Sequence, residues 1–258
     1  MRIGRIAHPD GVAFVSIEGD DPDNLTAAEI AEHPFGDNPN LTGRRWPLAD
    51  ARLLAPILPS KVVCIGKNYA DHAKEMGGEA PADPVIFLKP STTVIGPNAA
   101  IRLPRDSSRV DYEGELAAVI GMPCRDVPAA RAASVLLGYT VANDVTARDQ
   151  QQHDGQWTRG KGHDTFCPLG PWIETAINPA DLAIRTELDG VVKQDSRTSL
   201  LLHDIGKVIE WISHVMTLLP GDVILTGTPA GVGPMIDGQT VSVHIEGIGT
   251  LTNPVANR

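Results

Sequence analysis

The segment Val110-Asp111-Tyr112-Glu113-Gly114-Glu115-Leu116-Ala117-Ala118-Val119-Ile120 constrains the fold more than any other. From Leu116 to Ile120 every residue is apolar, so a strand here has no face to offer water and belongs inside a sheet covered on both sides. Its first half carries Glu113 and Glu115, and in an extended strand residues i and i+2 point the same way. The acidic end therefore emerges from a buried sheet into a cavity. Like charges that close repel, and either a proton or a cation relieves them. Asp144, which ends the run Tyr139-Thr140-Val141-Ala142-Asn143, supplies a third carboxylate. An all-oxygen site suits a hard divalent ion such as Mg²⁺, Mn²⁺ or Ca²⁺. On these residues alone a second reading stands beside it, since a Glu-x-Glu pair on the wet face of a half-buried strand is common.

A chain of 258 residues can bury one substantial core, or one core plus a small appended domain. Its 25 glycines and 21 prolines against 4% aromatics imply many turns and a β-rich plan. A net charge of -10 disfavours sequence-independent nucleic-acid binding, which needs a cationic face to displace counterions. No twenty-residue apolar run and no charged-then-apolar leader occur, so neither a membrane span nor a signal peptide is expected and the location expected is cytoplasmic. Cys64, Cys124 and Cys167 show no CxxC or Cys/His spacing and are read as reduced, buried thiols.

Along the chain, Arg2-Ile3-Gly4-Arg5-Ile6-Ala7 and Val12-Ala13-Phe14-Val15-Ser16-Ile17 predict an opening hairpin. The stretch from Gly19 to about Pro59 has little periodicity, and residues 1–58 are read as a small N-terminal region ahead of a catalytic domain at 59–258. Asn68 to Gly78 predicts a short helix, stopped by Gly77 and Gly78, that puts His72 and Glu75 on one face. An Asp126 cap, Pro128 in the first turn and Gly138 at the end predict a helix over Asp126 to Leu137. Asp189-Gly190 predicts a tight hairpin, and apolar residues from Ile205 to Leu219 at helical spacing predict a helix from Asp204 to Leu219. The fold class expected is α+β, predominantly β, with a few helices laid on a mixed core.

Six blocks then fall in a telling order: Ile65-Gly66-Lys67-Asn68-Tyr69-Ala70-Asp71-His72-Ala73-Lys74-Glu75, Phe87-Leu88-Lys89-Pro90, Asp111 to Leu116, Asn143-Asp144-Val145-Thr146-Ala147-Arg148-Asp149, Gly160-Lys161-Gly162-His163-Asp164, and Leu225 to Gly233. Together they resemble the fumarylacetoacetate hydrolase superfamily, on the branch of acylpyruvases, oxaloacetate decarboxylases and 2-hydroxyhepta-2,4-diene-1,7-dioate isomerases. The resemblance implies a mixed β-sandwich roll whose mouth holds Mg²⁺ or Mn²⁺, with Ca²⁺ as an in vitro substitute, between Glu113, Glu115 and Asp144. It also implies a homodimer. Where mammalian fumarylacetoacetate hydrolase has a fourth acidic ligand, this chain has Asn68.

A divalent ion that chelates a 2-oxo acid acts as a Lewis acid and stabilises the enolate formed when a bond at C3 breaks. His72 with Glu75 suits the post of proton-transfer group, because a carboxylate on one imidazole nitrogen fixes the tautomer and raises basicity. An exposed His/Glu pair on a surface turn is the bland alternative, which the resemblance outweighs; Gly77 and Gly78 would permit a lid there. Lys161, in a glycine-flanked loop, is expected beside the metal or a developing oxyanion. Arg148 and Gln151 resemble the Arg and Gln with which the family holds the distal part of the substrate, and Thr228 is expected to grip a substrate carboxylate. The glycine-rich run after Leu225 lacks the Gly-Lys-Ser/Thr of a phosphate loop, which excludes nucleotide binding there. His153, His163 and His203 are read as structural or exposed, and Trp157 and Trp172 as core.

The activity expected is therefore metal-dependent C–C hydrolysis of an acylpyruvate-type small 2-oxo acid, with isomerisation of a hydroxydienedioate or decarboxylation of oxaloacetate as alternatives. A catalytically inactive metal and 2-oxo-acid binder is the alternative of another class.

Overall fold

The structure is a computed structural model that describes residues 1–35 and 39–258. Its frame is a long sheet in which Leu41–Pro47, Thr26–Ile30, Gly11–Glu18, Arg2–His8, Cys167–Glu174, Leu136–Asn143, Gly114–Ile120, Val223–Leu225, Val62–Gly66 and Val85–Lys89 follow one another as neighbours. A second sheet runs Val191–Arg197, Ala183–Leu188, Thr240–Ile245, Gly249–Asn257, Ile101–Leu103. A small third one joins Thr146–Ala147, Val110–Tyr112 and Gly233–Pro234. The result is the mostly β sandwich roll with few helices that the sequence predicts.

Gly114–Ile120 lies inside the long sheet, as its two-sided apolarity requires. Leu116, Ala118 and Ile120 face a core shared with Ile184, Val243 and Ile245 of the second sheet and with Val208, Ile209 and Ile212. Ala117 and Val119 face the other side, against Val62, Cys64, Leu169 and Val223. Alternation at period 2 thus fills two cores from one strand, and each fully buried Leu or Ile contributes about 1.5–3 kcal/mol relative to exposure.

The opening hairpin forms, with Arg2 opposite Ile17 and His8 opposite Gly11. Between residues 19 and 58, where periodicity is weak, Thr26–Ile30 and Leu41–Pro47 continue the same sheet outward. Arg2–His8 joins them to the rest by pairing with Cys167–Glu174.

Two helix readings change. Asp126 to Leu137 is not an α-helix: a 3-10 helix spans only Ala129–Val135, and a strand begins at Leu136. Pro128 caps the turn in an extended conformation, and ladder bonds to Gly114–Ile120 take the chain from Leu136 onward, so pairing overrides local propensity. The last helix is Ile205–Val215 rather than Asp204 to Leu219; Asp204 caps it by accepting from Lys207 N at 2.8 Å. Among the cysteines, Cys64 and Cys167 are buried, whereas Cys124 is only half-buried. No helix among the described residues is long and apolar enough to cross a membrane.

Candidate metal centre

Strand register brings the three carboxylates together. Gly114 pairs with Asn143 and Glu115 with Ala142, so Glu113 and Asp144 stand at the adjoining ends of neighbouring strands. Asp144 N donates to Glu113 O at 2.8 Å, and Glu113 N donates to Asn143 Oδ1 at 2.9 Å, which locks the two ends. One oxygen from each of Glu113, Glu115 and Asp144 lies within 4.8 Å of the others, and all three side chains are buried. They line a cavity of about 160 Å³ together with His72, Arg148, Gln151, Lys161 and Thr228.

The charges around this floor are unevenly paired. Lys161 Nζ donates to Glu113 Oε2 at 2.8 Å and to Asp144 Oδ2 at 2.7 Å. Lys89 Nζ, fully buried, lies 2.6 Å from Asp144 Oδ1 and donates to the carbonyls of Val145 and Lys161. Lys89 is thus an ion-pair partner of Asp144 Oδ1, an oxygen that accepts no hydrogen bond among the described residues. Arg148 donates to Asp111 Oδ2 at 2.9 Å, to Glu113 Oε1 at 2.5 Å and to Gln151 Oε1 at 2.7 Å. Glu115 has no cationic partner among the described residues; its Oε2 accepts from Gly227 N at 2.6 Å. Among the described residues, four buried carboxylates, Asp111, Glu113, Glu115 and Asp144, thus meet three buried cations, Lys89, Arg148 and Lys161, and the exposed Arg109, which pairs with Asp111 alone.

Proton affinities follow this uneven pairing. Burial would raise the Glu113 carboxyl, but Lys161 and Arg148 hold it well below the usual carboxylate range. Burial, Asp144 and Glu113 together push Glu115 well above it. Burial would lower the Lys161 ammonium, yet Asp144 and Glu113 raise it, so it stays charged. A buried carboxylate with no cation of its own, beside an oxygen with no hydrogen bond, is the donor set a hard divalent ion fits. Glu113, Glu115 and Asp144 can hold a metal. Asn68 is engaged elsewhere: Nδ2 donates to His203 O and Thr226 O while Oδ1 accepts from His203 N.

The remaining sequence-predicted residues distribute as follows. His72 and Glu75 share the helix Ala70–Glu75, with His72 Nδ1 3.2 Å from Glu75 Oε2. Glu75 also accepts from Gly231 N at 3.0 Å, which ties the pair to the loop after Val223–Leu225. That loop is glycine-rich for a local reason: Gly227 has φ +108, and a Cβ there would come to 2.7 Å from Asn68. Its folded course aims the Gly227 N–H at Glu115 and so binds a carboxylate of the chain itself. Thr228 lines the cavity, but its hydroxyl donates to Gly114 O and accepts from Gln194 Nε2. Thr226 donates to Leu116 O within the sheet. His163 pairs with Gln150, and His153 is exposed.

One reading is corrected outright. Trp157 is not core: it is half-buried, lines the cavity and packs edge-on against Phe87 at 5.2 Å. Sequence reasoning also missed roles for Lys89 and Asp111. A lysine ending an apolar strand before proline was the available signal for the first, since a buried ammonium needs acceptors. Asp111 is fully buried between Arg109 and Arg148 and carries the salt bridge that sets the Arg148 guanidinium.

Residues 61–256 match the family model described as fumarylacetoacetate (FAA) hydrolase C-terminal. The chain belongs to the fumarylacetoacetate hydrolase family. Residues 1–56 match a second model, described as Rv2993c-like, N-terminal. Within this family the chain is similar to the crystal structure of 5-carboxymethyl-2-hydroxymuconate delta-isomerase from Mycobacterium smegmatis, at 70% identity and TM-score 0.94 over 100% of both chains. It is 41% identical over 221 residues to the mitochondrial oxaloacetate tautomerase Fahd2a of Rattus norvegicus, covering 81% of this chain and 71% of that protein. The maleylpyruvate hydrolase of Sphingobium sp. SYK-6, in complex with manganese(II) ion and pyruvate, aligns at 30% identity and TM-score 0.80 over 100% of this chain and 99% of that one.

Proposed function

We propose that the protein is a Mg²⁺- or Mn²⁺-dependent enzyme that moves a proton at the carbon next to the keto group of a short 2-oxo acid, interconverting it with its enol or shifting its double bond. The observation that carries this reading is the arrangement of Glu113, Glu115 and Asp144 within 4.8 Å, with no ion pair to Glu115 among the described residues, at the floor of a cavity also lined by His72. A bound divalent ion supplies Lewis-acid polarisation of the keto oxygen. The chain's own groups do the rest. Glu75 holds the His72 imidazole by Nδ1, and Nε2, which has no hydrogen-bond partner among the described residues, takes or returns the proton. Lys161 and Lys89 fix the carboxylates of Glu113 and Asp144, while Arg148 orients Glu113 from the far side. Phe87 and Trp157 wall the cavity and restrict water. Residues 59–258 carry all of these groups and form the catalytic unit in this reading, with 1–58 as an appended region.

Similarity to an oxaloacetate tautomerase and to a delta-isomerase favours a proton shift over bond cleavage. Hydrolysis of an acylpyruvate-type substrate is the second reading. It is favoured by the similarity to a maleylpyruvate hydrolase, and it needs His72 to activate water instead. Incubation with Mg²⁺ or Mn²⁺ in D₂O, with oxaloacetate and acetylpyruvate followed by NMR, tests both. Enzyme-accelerated deuterium entry at C3 without new acids supports the proton shift; release of acetate and pyruvate supports hydrolysis. No enzyme-dependent change with any 2-oxo acid refutes both.

A further inference from the structure

Three cationic side chains line the cavity: Lys67, Arg148 and Lys161. Arg148 and Lys161 are committed to Asp111, Glu113, Asp144 and Gln151, whereas Lys67 has no hydrogen bond or ion pair among the described residues. Lys67 is half-buried, and its ammonium lies against Gly78, where a Cβ would come to 3.0 Å from Nζ. It therefore sits between the floor strand Val62–Gly66 and the glycines that follow the His72/Glu75 helix.

The backbone at Lys67 is unusual for its residue type. Its φ is +57, a left-handed conformation that glycine adopts freely and a lysine adopts at a cost. Both neighbours hold it there. Gly66 packs so closely on Trp157 that a Cβ would come to 2.5 Å, and Asn68 is pinned by its side-chain bonds to His203 and Thr226. The chain thus keeps a long cationic side chain at the cavity where a glycine would relieve the strain, with no hydrogen bond or ion pair to it among the described residues.

From this geometry we infer that Lys67 is a specificity-determining residue that pairs a second anionic group on the substrate, so that the enzyme takes 2-oxo dicarboxylates in preference to monocarboxylates. The inference rests on the 2-oxo acid reading given above. In that reading the first carboxylate and the keto oxygen face the acidic floor, and the far carboxylate meets the one cavity cation with no partner of its own among the described residues. A charge-assisted hydrogen bond of this kind is worth about tenfold to a hundredfold in affinity.

The test compares two acids of equal carbon number, oxaloacetate and 2-oxobutanoate, by ligand-induced thermal shift titration of the Mg²⁺-loaded protein. The wild type should bind oxaloacetate at least about tenfold more tightly. Lys67→Met should bind both acids with the affinity the wild type shows for 2-oxobutanoate. Lys67→Gly, which suits the left-handed backbone and so protects the fold, should do the same, and Lys67→Arg should retain the preference. If 2-oxobutanoate binds all four proteins alike but the preference survives in Lys67→Met and Lys67→Gly, or if the wild type shows none, the role of Lys67 is overturned while the 2-oxo acid site stands. If neither acid binds the wild type, the reading of the site fails and takes this one with it.

Discussion

Replacing Glu115 with Gln separates metal binding from folding. In the metal-free protein, burial, Asp144 and Glu113 already push Glu115 towards its neutral form. Gln has the same shape, and its carbonyl oxygen can still accept from Gly227 N, the bond that Glu115 Oε2 makes at 2.6 Å. The metal-free variant should therefore match the wild type within about 0.5 kcal/mol. With metal the two proteins part. A ligand at a hundred times its Kd stabilises the native state by about 2.7 kcal/mol, which in a chain of this length raises Tm by about 5–10 °C. Glu115→Gln loses an anionic ligand and should keep little of that rise. Glu113→Gln provides the contrast: it takes from Arg148 and Lys161 the buried carboxylate they share, leaving them only Asp111 and Asp144, and should cost about 3 kcal/mol even without metal. Scanning calorimetry in EDTA and in excess Mn²⁺ reads both effects. A metal-induced rise in Glu115→Gln equal to the wild type's would refute the ligand set, and a metal-free loss of several kcal/mol would refute the neutral form of Glu115.

Other perturbations have equally definite outcomes. His72→Ala should lower kcat on the true substrate by about 10²–10⁴-fold while the Mn²⁺ titration stays unchanged; undiminished turnover removes the His72/Glu75 pair from the chemistry. Lys89→Met strips from Asp144 one of its two buried cations, leaving Lys161, and takes the donors from Val145 O and Lys161 O, so urea unfolding should show a loss of about 3–5 kcal/mol, and a loss below about 1 kcal/mol would contradict the assignment. Asp149 provides a pH signature. Burial would raise its carboxyl, but Ser107, Ser108 and Gln150 N hold it down at about 2 against the ordinary 3.8. A depressed native value stabilises the fold above the unfolded-state pKa, and that contribution disappears as pH falls from about 4 towards 2. It is worth about 2 kcal/mol unscreened and about 1 kcal/mol with the screening of a partly exposed group. Asp149→Asn should therefore be less stable than the wild type by that amount at pH 7 and nearly equal to it at pH 2; a difference that persists undiminished at pH 2 refutes the pKa basis.

The floor of the site was legible in the sequence because its logic is local. Glu113 and Glu115 sit two apart beside an obligatorily buried run, and His72 and Glu75 sit three apart ahead of two glycines, so spacing alone puts each pair on a common side. The opening hairpin and the helix Ile205–Val215 were legible for the same reason. What stayed hidden depends on pairing across long separations. Ala129–Val135 has helix-like flanks, but the strand that follows is recruited by Gly114–Ile120. Thr26–Ile30 and Leu41–Pro47 have little periodicity of their own and become strands by adding to an existing sheet edge. Lys89 and Asp111 look like ordinary surface charges until the fold buries them, and Trp157 gains its place on the cavity wall only when its loop crosses Gly66.

The most direct measurement is anomalous scattering from a crystal soaked in Mn²⁺. A single strong peak within about 2.0–2.3 Å of one oxygen each from Glu113, Glu115 and Asp144 is the expected result. A peak at any other cluster, or none while Lys161 still bridges Glu113 and Asp144, would contradict the claim that this acidic trio is a metal centre.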